Sequence, residues 1–129
     1  MGIAARDNDI VTSYTDGSVA ATIDVAEGDL IVVFVGVYGG SPYCNDVADD
    51  IGNEYIVRDN IRSYSSTLVF AYCLSSIGAN AANVITATFN AVAARQKNII
   101  ASCYTPDVGD VVTLEDASNK LTNDAEASP

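Results

Sequence analysis

The side chains able to do chemistry in this chain are few, and their types exclude most mechanisms. There is no histidine, so neither a Ser-His-Asp nor a Cys-His pair can be built. No G-x-S-x-G elbow, P-loop or G-x-G-x-x-G stretch occurs. Gly39-Gly40-Ser41 closes an apolar run, but no helical pattern follows it, so it lacks the helix N-terminus that would hold an anion. The three cysteines, Cys44, Cys73 and Cys103, have no CxxC spacing, which argues against structural zinc. Being odd in number, they are either three buried free thiols or one bridge with a thiol left over. Cys73 and Cys103 lie near the ends of uncharged runs, whereas Cys44 follows a turn. On the second reading Cys44 is the spare thiol, placed to link neighbouring subunits in an oxidising medium.

Asp46, Asp49, Asp50, Asn53 and Glu54 crowd oxygen-bearing side chains into one short segment. Calcium takes about six to eight oxygens, and the spacing here is not that of an EF-hand loop. A solvated turn, using Asp, Gly and Asn for backbone reasons, is the simpler reading of the Asp46–Glu54 segment. A carboxylate pair for glycoside hydrolysis would need a buried pair, and these acids sit in turns. The expectation is a protein that is not an enzyme, with no cofactor and no metal.

Binding residues are equally sparse. Of seven tyrosines, Tyr38, Tyr55, Tyr72 and Tyr104 fall within or at the ends of strands; Tyr14, Tyr43 and Tyr64 are surface candidates. Arg95 and Lys97 make a small basic spot, most simply an exposed loop. Seventeen acidic residues against six basic ones give a net charge of −11. That field opposes nucleic acid and anionic membranes. No run reaches the roughly twenty apolar residues of a membrane span. The opening MGIAARDND has no secretory pattern, and Arg6 stands where an N-myristoylation signal wants Ser or Thr. A chain starting at Met1 is thus expected to be made in a cytoplasm.

The elements that must position these residues are strands. Asp29 to Tyr38, DLIVVFVGVY, is apolar on both parities and rich in β-branched residues. It reads as a central strand covered on both sides, with Phe34 in the core. Ile10–Tyr14, Val19–Val25, Tyr43–Val47, Glu54–Arg58, Ser66–Leu74, Val84–Asn90 and Gln96–Tyr104 read as further strands, with Val111–Leu114 as a possible edge. Asp16-Gly17 signals a hairpin, Asp49–Asn53 a tight turn, and Asp59–Ser65 a loop with Arg62 exposed. No amphipathic helix links the strands, so parallel α/β is disfavoured. The expected fold is an all-β antiparallel sandwich of 7–9 strands over residues 10–114. Residues 1–9 read as an N-terminal arm and 115–129 as a C-terminal tail, both flexible until assembly.

Five motifs follow one another in order: GDLIVVFVGVYGGS, DDIGNEY, STLVFAYCL, NVITATFNA after a Gly-Ala-Asn loop, and NIIASCYTP. Across residues 19–105 this order resembles an immunoglobulin-like β-sandwich module of bacterial surface proteins and phage virion proteins. The chain departs from that pattern at Cys103-Tyr104-Thr105-Pro106 and in having Cys44 and Cys73. The resemblance implies an immunoglobulin-like sandwich and no catalytic residue. Together with the missing leader it implies a virion structural protein: a capsid decoration (cement) protein, or a head, neck or tail accessory. Its partners would be the major capsid protein or other virion proteins, and copies of itself on the particle. The alternative it implies is an extracellular adhesion or carbohydrate-binding module from a larger surface protein.

Overall fold

The computed structural model describes residues 2–14, 17–38, 44–62, 66–90 and 96–113, with the backbone alone at 59, 60 and 62. Eight strands make up the described chain: β1 (Ile3–Ser13), β2 (Ser18–Val25), β3 (Leu30–Tyr38), β4 (Cys44–Asp49), β5 (Ile56–Arg62), β6 (Ser66–Cys73), β7 (Asn80–Phe89) and β8 (Lys97–Pro106). They form two antiparallel sheets, ordered β1-β8-β3-β6-β5 and β2-β7-β4. There is no helix among the described residues. The expected antiparallel sandwich is therefore present, and β3 is the middle strand of the larger sheet.

Strand alternation builds the core. Side chains two apart share a face, so Ile31, Val33, Val35 and Val37 of β3 all point at the smaller sheet and are buried. They meet Val19, Ala21, Ile23 and Val25 of β2 and Ile85, Ala87 and Phe89 of β7, flanked by Val69, Ala71, Ile99 and Ala101. Each fully buried Ile or Val contributes about 1.5–3 kcal/mol over leaving it in water. The opposite parity of β3 has no second layer over it among the described residues: Phe34 is 47% exposed. The expectation of burial on both sides, with Phe34 in the core, is corrected here. One layer of strands lies beside β3, and it lies on one side only.

Nearly every connection crosses between the sheets, the double Greek-key order of a jelly roll, with β5 carried on the edge of the larger sheet. An immunoglobulin constant-type domain instead holds its first two strands in one sheet. For the same reason β1 and β2, in different sheets, are not the hairpin expected at Asp16-Gly17, where Asp16 itself lies outside the described residues. Three strands are markedly longer than their sequence suggests, and one of them, β7, begins at Asn80, four residues before the expected Val84. β5 continues to Arg62 where a loop is expected, with its pairing to β6 irregular between Val57 and Asn60. β1 begins at Ile3, so residues 3–9 are a paired strand and not an arm. Residues 111–113 form no strand. The tail 115–129, Tyr43, Tyr64, Arg95 and the Gly39–Pro42 turn lie outside the described residues, as does the side chain of Arg62.

Polar bonds, not apolar burial, hold the first half of β1. The pairing with β8 is irregular between Ala5 and Asp7, which sets Arg6 at a bulge. Arg6 Nε reaches Asp29 Oδ2 and Thr105 Oγ1, both at 3.0 Å. Asp29 is fully buried and also accepts from Thr105 Oγ1 at 2.7 Å and the Ala26 amide at 3.0 Å. A buried carboxylate needs such partners. Asp7 and Asp9 face the smaller sheet and accept the backbone N–H groups of Asp24 (2.8 Å) and Thr22 (2.9 Å) on β2.

Candidate functional site

The Asp46–Glu54 segment comes together around one carboxylate. Asp49 ends β4, and Gly52 takes φ +90°, a backbone shape suited to glycine, to fold the chain back over it. Asp49 Oδ1 accepts the amides of Ile51, Gly52 and Asn53 at 2.9–3.1 Å. Its Oδ2 accepts from Asn53 Nδ2 (2.8 Å), Tyr55 OH (2.7 Å) and Asn83 Nδ2 (3.3 Å). Burial pushes the Asp49 carboxyl up, but donation from Tyr55, Asn53 and Asn83 outweighs it and leaves the group below its usual 3.8. Burial and the neighbouring carboxylate raise the Tyr55 phenol. Asp50 turns the other way and accepts from Asn80 Nδ2 and the Val84 amide, while Asp46 and Glu54 are exposed. Every bond to Asp49 comes from a donor, so its lone pairs are committed to the protein. The arrangement is a structural staple joining β4, β5 and β7, and the turn expected from the sequence.

The three cysteines are buried free thiols. Ile31 of β3 pairs with Cys73 on one side and Cys103 on the other. Those two cysteines are thus two strands apart, roughly 10 Å, beyond the about 4.4–6.8 Å a disulfide spans. Cys44 belongs to the smaller sheet, and its Sγ lies 3.4 Å from the Asp46 carbonyl. Of the two readings left open by the sequence, three buried free thiols is the one this structure holds: there is no bridge, and Cys44 is buried, not placed as an external link. Desolvation raises all three thiols, Cys103 to about 12, so none is an activated nucleophile. Lys97 is also not part of an exposed basic spot. It is 2% exposed and faces inward, opposite Val37 and Ser13.

The surface that stands out is the outer face of the larger sheet. Register places its side chains in rows. One row runs Ile10, Ile100, Phe34, Phe70; the next runs Thr12, Asn98, Gly36, Leu68, Ile61; a third runs Asn8, Ser102, Val32, Tyr72, Ile56; a fourth runs Ala5, Tyr104, Leu30. None of these positions is charged, in a chain of net charge −11, and only the β5 bulge opposite Phe70, at the sheet's edge, brings a charge to the first row, Arg58. Phe34, Leu68, Ile100, Ile10 and Ile56 are all between 41% and 67% exposed. The rings of Phe34 and Phe70 lie 5.0 Å apart and form an aromatic ridge, against which the buried Tyr72 ring packs 5.6 Å from Phe70. Beside the ridge, Gly36 leaves a hollow of about 330 Å³ lined by Phe34, Ile61, Leu68, Asn98 and Ile100. It continues toward Tyr38, Ser66 and Gln96 in a second hollow of about 240 Å³. The outer face of the smaller sheet differs: Ala20, Thr22, Asp24, Thr86, Thr88, Asp46 and Ala48 are small or polar. That is an ordinary wet face, and the larger sheet's is not.

Of the tyrosines expected in strands, Tyr72 is buried under this face and Tyr38 is exposed at its end, while Tyr14 is exposed as expected. Gly36, Leu68 and Ile100 were not singled out by chemistry-bearing residue types. The signals for them were a lone glycine inside an apolar strand and the missing charge on one parity of neighbouring strands. Neither a known protein family, nor a curated protein, nor a solved structure matches this chain.

Proposed function

We propose that this chain is a structural virion protein that acts by protein–protein contact, as a capsid decoration protein or a head or neck accessory. The observation that carries the reading is the uncharged, ridged outer face of the larger sheet. A free surface of an acidic protein has no reason to concentrate Phe, Ile and Leu while keeping its rows on β1, β8, β3 and β6 free of charge, whereas the desolvated centre of a protein interface does. Co-sedimentation with virus-like particles tests it. Purified protein should bind particles that lack it, saturably, and Leu68→Lys should abolish binding. Absence of binding by the unaltered protein to such particles defeats the proposal.

One observation favours the alternative of an extracellular adhesion or carbohydrate-binding module. The second hollow combines the Tyr38 ring with Ser66, Gln96 and Asn98, a mixture suited to a sugar face and its hydroxyls. Saturable binding to a polysaccharide, lost in Tyr38→Ala, would select that reading instead.

A further inference from the structure

We infer that the outer face of the larger sheet binds the same face of a second copy, making the protein a twofold dimer packed sheet on sheet. The inference deepens the contact-surface reading above and rests on it.

Shape is the first argument. A twofold contact is self-complementary, so ridge and hollow must both be present on one patch. Here they are adjacent rows. The Phe34–Phe70 ridge stands one row from the hollow at Gly36 and Leu68. A second copy turned by 180° about an axis between those rows sets each ridge over the other's hollow. Gly36 is what opens the hollow: a Cβ built there would already stand 3.4 Å from Leu68 Cδ2. A glycine in a strand interior commonly marks close approach of another surface.

Charge is the second. Two copies, each at −11, can touch only where neither presents a carboxylate, because each acid would be desolvated or would face like charge. The four rows meet that condition at every position. A basic partner would instead be matched by acids on the face. A small molecule would need placed polar groups, and the one polar side chain lining the larger hollow, Asn98, already accepts from Thr12 Oγ1 at 2.7 Å.

Area is the third. Strands about 4.8 Å apart and rows about 6.8 Å apart give the named positions of this face roughly 550 Å² in projection. A standard interface takes about 800 Å² of accessible surface per partner, and a corrugated sheet exposes more than its projection.

Sedimentation equilibrium of the full chain at micromolar concentration tests the inference. The expected mass is twice that of the chain. Leu68→Lys enters a twofold contact twice, and each buried unpaired charge costs at least about tenfold in affinity. It should weaken the dimer by about a hundredfold or more, with an unchanged circular dichroism spectrum. Thr88→Lys, on the wet face of the smaller sheet, should leave it intact. Two results overturn the second copy: a monomer at these concentrations, or a dimer indifferent to Leu68→Lys. A monomer that still binds particles through Leu68 overturns the dimer and leaves the virion reading standing. A Leu68-dependent dimer that binds no particle upholds the dimer and defeats the virion reading.

Discussion

Replacing Asp49 with Ala should be the most damaging single change outside the apolar core. Six donors point at this carboxylate: three turn amides, the side chains of Asn53 and Asn83, and the Tyr55 hydroxyl. An alanine orphans them all. The exposed Gly52 amide recovers a water partner at little cost, and the half-buried Ile51 and Asn53 amides do so in part. The side-chain amides of Asn83, on a residue with no exposure, and Asn53, on a residue 6% exposed, and the half-buried Tyr55 hydroxyl recover least. Two to three unsatisfied donors at about 1–3 kcal/mol each predict a loss of about 3–5 kcal/mol. A chain of 129 residues has roughly 6–19 kcal/mol in all, so the variant should fold with a clearly lowered midpoint. Urea unfolding followed by tyrosine fluorescence measures it. Asp49→Asn separates charge from shape. The folded carboxyl sits below its usual 3.8, so the folded state binds that proton less readily than the unfolded chain. Its contribution is complete above about pH 4 and is lost as pH falls through the folded value. The gap between wild type and Asp49→Asn should therefore shrink from pH 7 to pH 3. A loss under about 1 kcal/mol for Asp49→Ala, or a gap independent of pH, would show that the turn is held by its backbone alone.

The two faces of the larger sheet should respond differently to truncation. Ile99→Ala, at a position with no exposure, should cost about 2–5 kcal/mol in urea unfolding. Phe34→Ala should cost about 1 kcal/mol in dilute protein, since half of its ring is already in water; equal losses would mean the sheet is covered on both sides by the chain itself. For the thiols, slow maleimide labelling at neutral pH is expected in the folded state, with all three cysteines reacting after unfolding. Rapid labelling of Cys44 in the folded protein would show that its burial is not maintained in solution.

The parts of this fold legible in the sequence are those where period and composition agree. β2, β3, β6 and β8 alternate or run apolar between turn residues, and each strand falls where that pattern sets it. The Asp49–Asn53 turn is legible because a Gly between Asp and Asn, free to take the positive φ seen at Gly52, has few other uses. β1 is not, because RDND carries no apolar period. Its side chains are satisfied by groups far away in the chain, Asp29 for Arg6 and the β2 backbone for Asp7 and Asp9. Nothing local to those residues encodes such partners. The candidate surface lies between these cases. Apolar residues on both parities of β3 correctly say that both faces seek cover, yet a single sequence does not say whether its own chain supplies the second layer. Gly36 needs its neighbours to be meaningful, since the hollow exists only once β6 and β8 are beside it.

The bonds from Asp7 and Asp9 to β2 carry a consequence for the molecule's edges. From β5 through β6, β3, β8 and β1, across these carboxylates to β2, β7 and β4, hydrogen bonding runs as one circuit. The two layers are in effect a cylinder slit along one side, between β4 and β5, with the Asp49 turn crossing the slit. A foreign strand finds open backbone along that slit. At the opposite corner the amides of Thr22 and Asp24 are already taken. Chain-upon-chain growth by strand addition needs open edges on opposite sides of each molecule. Here the two open edges flank a single opening, so such growth has no second side from which to continue, and a protein with this much uncharged β-sheet is left free to associate by its face.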